Sequence, residues 1–445
     1  MEAPFDLVLS GGTLVNHDGE HRADLGIRGG RVAAIGDLSG ASAQERRDCR
    51  GLHLLPGVID SQVHFREPGL DHKEDLETGS RAAVMGGVTA VFEMPNTNPQ
   101  TTSAAALADK VARAHHRMHC DFAFWVGGTH ENAGEVAALE RLPAAAGIKV
   151  FIGSSTGSLL VEDDAGVREI LKQIRRRAAF HSEDEPMLRE RKGLRVPGDA
   201  ASHPVWRSPE VAVKATQRLI ALARETGARI HILHISTADE MPILAEAKDV
   251  ASVEVTPHHL TIDGTEAYAR LGTLVQMNPP VRDAGHRDGI WRGLSQGVVD
   301  VLGSDHAPHT LEEKAKPYPD SPSGMTGVQT LVPIMLDHVN AGRLSLARFV
   351  DLTSAGPKRL FGIARKGRLA VGYDADVTVV DLKRRETIRN EWIASKCGWT
   401  PYDGLTVTGW PVGTVVRGTP VMWQGELANP ARGEAVVFEE ALPTG

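Results

Sequence analysis

The chain has 445 residues, too many for one small domain and enough for a barrel-sized core plus an accessory piece. A hydrophobic content of 41% and a charged content of 24% suit a folded globular protein, and a net charge of −8 with no basic run argues against a nucleic-acid partner. No apolar run reaches membrane-spanning length, and Cys49, Cys120 and Cys397 are spaced too widely for a zinc pattern or a disulfide framework, so a reducing cytoplasmic setting is expected.

The first residues, "MEAPFDLVLSGG", lack a basic stretch followed by a long apolar core, so no signal peptide is expected. "FDLVLSGGTLVN" and "ADLGIRGGRVAAIGDL" read as short strands joined by Gly-Gly turns. The far end repeats the style in "KGRLAVGYDADVTVVDLK" and "TVVRGTPVMWQGELAN". A short ribbon is barely stable alone, so residues 1–55 and 364–445 are expected to pair as one small β-sandwich domain.

Between them, residues 56–363 alternate apolar β runs with helical segments. The runs are "LLPGVIDSQVHF", "VTAVFEM", "DFAFWVG", "GIKVFIG", "RRRAAFHSED", "RIHILHIS", "ASVEVTPHH" and "VDVLGSDHAP". Helical three-and-four spacing marks "SAAALADKVARAHHRM", "GVREILKQIRRRA" and "SPEVAVKATQRLIALARETG". Eight such alternations predict an α/β fold, a parallel (β/α)8 barrel of the TIM type. The polar stretch 183–209 reads as a large loop at the barrel mouth.

Barrel active sites lie at the C-terminal strand ends. Those ends deliver Gln62, His64 and Arg66; Asn96; Lys149; His181; His234; His258 and His259; and Asp305 with His309. Imidazoles and a carboxylate arriving at one face suit a first-row metal ion. Lys149 is the odd member, because a bare ammonium is costly to bury and has no lone pair for a metal. It reads either as a lysine paired with an acid or as one carboxylated by carbon dioxide. His130, in "GGTH", and the pair His258 and His259 read as structural or supporting groups.

"DSQVHFREPG", "EMPNTNP", "IKVFIGSSTG", "FHSED", "LHIST", "TPHHL", "NPPVR" and "GSDHAPHTLEEK", the last including Lys314, occur in the order found in dihydroorotases. The chain therefore resembles the amidohydrolase superfamily, and within it the dihydroorotases, over nearly its whole length. The resemblance implies a metal-dependent cyclic amidohydrolase that reversibly opens dihydroorotate to N-carbamoyl-aspartate in pyrimidine biosynthesis. It implies one or two zinc ions, one held by His64, carboxylated Lys149 and Asp305, the other by carboxylated Lys149, His181 and His234. It implies a hydroxide between the metals as nucleophile, with Asp305 as general base and then acid. Arg66, Asn96 and His309 would clamp the substrate carboxylate, and Asn278 would contact the ring amides.

Gln62 departs from the pattern, since the family usually has histidine there. It either fills the space with its amide oxygen near the metal or weakens the first site. Allantoinase- and hydantoinase-like activity is the alternative, as is a low-activity partner subunit of a carbamoyltransferase. Arg66 argues for the anionic ring, because the other rings lack an exocyclic carboxylate. A homo-oligomer, dimer or larger, is what the family suggests.

Overall fold

The computed structural model describes residues 4–155 and 159–440. The N-terminal strands are β1 (Phe5–Asn16), β2 (Gly19–Arg28), β3 (Arg31–Gly36), β4 (Ala43–Asp48) and β5 (His53–Pro56). Eight barrel strands follow: β6 (Val58–Val63), β7 (Val88–Glu93), β8 (Asp121–Gly127), β9 (Ala145–Phe151), β10 (Ala178–His181), β11 (Ile230–Ile232), β12 (Ala251–Val255) and β13 (Val301–Leu302). The chain closes with β14 (Val377–Thr387), β15 (Thr406–Val416), β16 (Thr419–Trp423) and β17 (Glu426–Leu427).

Strands β6 to β13 pair in sequence order, and every registered pair is parallel. Each of the eight apolar runs supplies one of them, as expected for near-continuous hydrophobic strands covered by helices on the outside. The seam between β13 and β6 is drawn together just beyond the ladder. Val63 bridges His306, the His64 amide donates to the His306 carbonyl at 2.7 Å, and the Ser304 amide donates to Asp60 Oδ1 at 2.9 Å.

The first run divides at Gly57. "HLLP" belongs to the small sheet and "VIDSQV" to the barrel. A side chain at Gly57 would place its Cβ 2.2 Å from Thr89 Oγ1 and 2.7 Å from Asp376 Cβ, so only glycine lets the two units approach here.

The two chain ends do form one sheet, in the order β17-β16-β15-β14-β5-β1-β2-β3 with β4 also on β1. Most pairs are antiparallel, while β1 pairs parallel with β4 and β5. A separate apolar core, including Leu7, Leu25, Ile27, Val377 and Val415, lies within this unit. Lys366 ties the units together, with its ammonium 2.5 Å from Asp121 at the start of β8 and also bonded to Asp376 before β14. Beyond β17 the chain returns to the barrel floor. There Val436 donates to Phe122 at 2.8 Å, and Phe438 packs edge-on against Phe92.

The three helical segments with clear spacing appear as helices Ala104–Ala114, Asp164–Gln173 and Pro209–Thr226. The 183–209 stretch is more helical than its polarity suggests. Asp184 caps Glu185–Glu190 by accepting from the Met187 amide at 3.1 Å, and Pro204 sits in the first turn of His203–Trp206.

Several histidines are buried as neutral groups away from the mouth. Burial, with help from Arg177, depresses His231 to about 3, and burial with Arg343 depresses His338 to about 4. In the unfolded chain both titrate near 6.5, so below that pH the unfolded state binds protons that the folded state refuses. Stability is therefore full above pH 6.5 and falls as pH drops, by about 1.4 kcal/mol per pH unit for each such group. Urea unfolding at pH 7.5 and pH 5.5 is expected to show this loss, and His338→Gln to reduce its slope.

Candidate active site

The C-terminal strand ends converge on a small cavity lined by Gln62, His64, Arg66, Lys149, His181, His234, Asn278 and Asp305, together with Phe151, Ser155 and Ser323. Its volume of about 20 Å³ holds little more than one water or a single ion. A wider vestibule of about 280 Å³ adjoins it, sharing Ser155, Asn278 and Ser323, and is walled by Arg195, His203, Trp206 and Tyr318. The stretch 183–209 supplies much of this wall.

Strand alternation, which puts residues 62, 64 and 66 on one face, accounts for only part of "SQVHFR". β6 ends at Val63 and carries register irregularities, so His64 and Arg66 lie beyond it. Arg66 has φ 67, His234 φ 39 and Asp305 φ 49, the left-handed region that non-glycine residues avoid. Three site residues thus owe their aim to turns held in place by surrounding structure, at about 1–3 kcal/mol each.

The possible metal donors come as two pairs. His64 Nε2 lies 3.3 Å from Asp305 Oδ1, while His64 Nδ1 lies 2.8 Å from Asn96 Oδ1. The Asn96 oxygen can only accept, so the imidazole proton sits on Nδ1, and Nε2 presents a lone pair toward a carboxylate oxygen. Two acceptors facing each other at that distance call for a cation between them. In the second pair, His181 Nδ1 lies 3.1 Å from His234 Nε2. His181 Nε2 lies 2.9 Å from Glu183 Oε2, and Glu183 also binds Arg207. Burial pushes Glu183 upward, but Arg207 and His181 outweigh it and hold the carboxyl at about 2. An ionised Glu183 takes the Nε2 proton of His181 and leaves Nδ1 as the lone-pair nitrogen, the arrangement by which a carboxylate orients a metal-binding imidazole. Burial lowers all three histidines, so each is neutral.

Among the described residues no three histidine, cysteine or acidic side chains form a group able to hold a metal ion. Each pair lacks a third donor, and Lys149 is the residue next to both. Its ammonium lies 4.5 Å from the Phe151 ring centroid, pairs with no described carboxylate and is 1% exposed. Desolvation lowers it to about 7, which leaves much of it as the free amine that can react with carbon dioxide. Gln62 donates from Nε2 to Asp305 Oδ1 at 2.9 Å, and its Oε1 is buried without a partner among the described residues. That oxygen is a further donor in want of a cation or a water. The donor chemistry therefore fits a divalent ion, provided Lys149 supplies a carbamate.

The residues expected to clamp a carboxylate divide by position. Arg66 lines the cavity, whereas Asn96 stands behind His64 and His309 behind Arg66. His309 Nε2 donates to the Ser323 carbonyl at 3.0 Å, and its Nδ1 accepts from Lys73 at 3.0 Å. Asn278 lines the cavity, with its Oδ1 3.0 Å from His203 Nε2. His258 bonds the Tyr402 hydroxyl, His259 lies on the Pro279 carbonyl, and neither reaches the cavity. His130 pairs with Asp163 on the half-exposed rim. Lys314 is fully buried and donates to the carbonyls of Gln276, Pro322 and Gly324, which fixes the loop carrying Ser323.

Sequence reasoning missed three supporting residues. Glu183 lies within "FHSED" but its role depends on Arg207, and Arg207 and Lys73 carry no local signal, because their partners lie far away in sequence.

Comparison with known proteins places the chain in a family. Residues 53–421 match the amidohydrolase family model. A dihydroorotase of Halobacterium salinarum is 37% identical over 425 residues, 94% of this chain and 97% of the relative. An allantoinase of Deinococcus radiodurans is 33% identical over 96% of this chain and 98% of its own. The solved structure of L-hydantoinase (dihydropyrimidinase) from Arthrobacter aurescens superposes with a TM-score of 0.93 at 33% identity, covering 97% of this chain and 99% of that one. A family model matching residues 53–421 and relatives 33–37% identical over nearly the whole chain lead to one assignment: the chain belongs to the amidohydrolase family.

Proposed function

We propose that this enzyme is a dihydroorotase, which hydrolyses the cyclic amide of dihydroorotate reversibly to N-carbamoyl-aspartate. The observation that carries this reading is Arg66. Its guanidinium is 1% exposed and lines the cavity beside His64 and Asp305, yet forms no ion pair with any described residue. A buried charge without a counter-ion is costly, so the cavity calls for an anion. The exocyclic carboxylate of dihydroorotate supplies one, by two parallel hydrogen bonds to the fork. Hydantoin and allantoin would leave Arg66 unpaired. The dihydroorotase relative adds weight, while the hydantoinase and allantoinase relatives keep the alternative in the test.

Of this chain's groups, His64, His181, His234, Asp305 and a carboxylated Lys149 would hold one or two zinc ions, with Gln62 Oε1 as a weak extra donor. Such an ion supplies Lewis-acid polarisation of the ring carbonyl and a more acidic water. Asp305 takes the proton of the attacking water and delivers it to the leaving ring nitrogen, which requires one carboxylate within reach of both. Gln62 Nε2 fixes that carboxylate by donating to its Oδ1. Arg66 Nε donates to the Pro308 carbonyl at 3.2 Å and Lys73 holds the His309 ring beside it, while Asn278, itself held by His203, faces the ring amides.

The test uses the purified chain alone, loaded with zinc and bicarbonate, and compares dihydroorotate, hydantoin and allantoin. Turnover of dihydroorotate well above the other two is expected. Preference for hydantoin or allantoin would overturn the substrate assignment. Activity seen only after adding a carbamoyltransferase would favour the partner-subunit reading. Gln62→His, which restores an imidazole, is expected to raise metal content several-fold by elemental analysis; unchanged content would show that Gln62 does not weaken the first site.

A further inference from the structure

The barrel floor, opposite the mouth, carries a second built pocket. A cavity of about 200 Å³ opens at the N-terminal ends of β9, β10 and β11, lined by Arg176, Arg177, Arg229, Arg359, Glu439 and Glu440 together with Leu360 and Phe361. Two of these charges are answered on the spot. Arg359 pairs with Asp351 at 2.7 Å, and Glu439 with Lys358 at 3.1 Å. Three guanidiniums then remain near Glu440, with Glu140 behind them. The Glu140 carboxylate is engaged by the Arg175 and Arg176 amides at 2.6 and 3.1 Å.

The three arginines are not equally free. Arg177 Nη1 donates to the Ile230 and Val250 carbonyls at 3.2 and 3.4 Å. Arg229 is exposed, and its side chain makes no hydrogen bond or ion pair with any described residue. Arg176 is the most informative. It is 8% exposed, its Nη1 donates to the Glu140 and Ala145 carbonyls at 2.9 and 2.8 Å, and its guanidinium stacks over Phe438 at 4.6 Å. Its Nη2 is buried with no partner among the described residues. An unmet donor on a buried cation is expensive, and folded proteins rarely leave one without a use.

We propose that this floor cavity binds a phosphoryl group. Three forks arriving from two neighbouring strand ends, Arg176 and Arg177 before β10 and Arg229 before β11, suit a tetrahedral dianion, which accepts hydrogen bonds from several directions. A carboxylate offers only two oxygens in one plane. The volume lies below the range of drug-sized ligand pockets, so it takes a small anion or the phosphoryl end of a larger molecule. In a protein with an overall charge of −8, this concentration of arginines also stands against the general field. The site lies on the face that governs stability in barrels of this type. Occupancy is therefore expected to raise the melting temperature and leave kcat unchanged. The inference does not depend on the substrate proposed above.

The test titrates the metal-loaded enzyme with inorganic phosphate at constant ionic strength, following thermal unfolding and equilibrium dialysis. Saturable binding with a rise in Tm is expected, and Arg229→Glu is expected to weaken it at least about tenfold. Should Arg229→Glu fold poorly, Arg229→Ala and Arg176→Gln give the same comparison. A nucleoside 5′-monophosphate that binds more tightly than phosphate would assign an organic phosphoryl ligand, and equal binding a free anion. An equal Tm rise with chloride, or unchanged affinity in a well-folded Arg229 variant, would overturn the site.

Discussion

Asp305→Asn is expected to lower kcat/KM for dihydroorotate by about 10² to 10⁴-fold, the range that a positioned proton-transfer group contributes. Asparagine keeps the shape of the side chain, and its oxygen can still accept from Gln62 Nε2, which lies 2.9 Å from Asp305 Oδ1. What it loses is the negative charge that faces His64 and the ability to carry a proton from water to nitrogen. The fold should persist, so the melting temperature is expected to stay within a few degrees of wild type. A variant that keeps more than a tenth of wild-type kcat/KM would remove Asp305 from the proposed chemistry. One that loses activity only through unfolding would leave its role to be tested with Asp305→Glu.

Lys149→Met is expected to weaken divalent-metal binding by at least about 100-fold and to remove turnover with it. Loss of an outer hydrogen-bond partner alone costs 10–100-fold in metal affinity, and a donor shared by both sites should cost more. Methionine fits the place of an apolar stem beside Phe151, so the barrel should tolerate it better than it tolerated the buried ammonium. Elemental analysis after dialysis measures the metal, and the dihydroorotate assay the turnover. A short carboxylic acid diffusing into the vacated space is expected to restore part of both. Full metal content in the variant would mean that Lys149 is only a buried lysine.

How much of this was legible beforehand depends on range. Apolar runs and helical spacing are local, and they predicted the eight-stranded barrel and the pairing of the chain ends. They did not reveal that "LLPGVID" changes sheets at Gly57, since that depends on how close Thr89 and Asp376 come. Strand parity placed Gln62, His64 and Arg66 on one face, and they do share a cavity. Yet Arg66 gets there through a left-handed turn, which no period-two pattern encodes. The motifs named the residues at the mouth but not their depth. The resemblance implies that Asn96 and His309 clamp the substrate; the structure places Asn96 Oδ1 on His64 Nδ1 and the His309 ring beside Arg66, both outside the cavity lining. Glu183 with Arg207, and Lys73 with the neutral His309, are pairs distant in sequence that meet only after folding.

The most direct measurement is anomalous diffraction at the zinc edge from crystals grown with zinc and bicarbonate. A peak between the His181 and His234 rings, with extra density extending from Lys149 Nζ, is what these side chains call for. Crystals that show zinc elsewhere, and an unmodified lysine amid unliganded histidines, would contradict it.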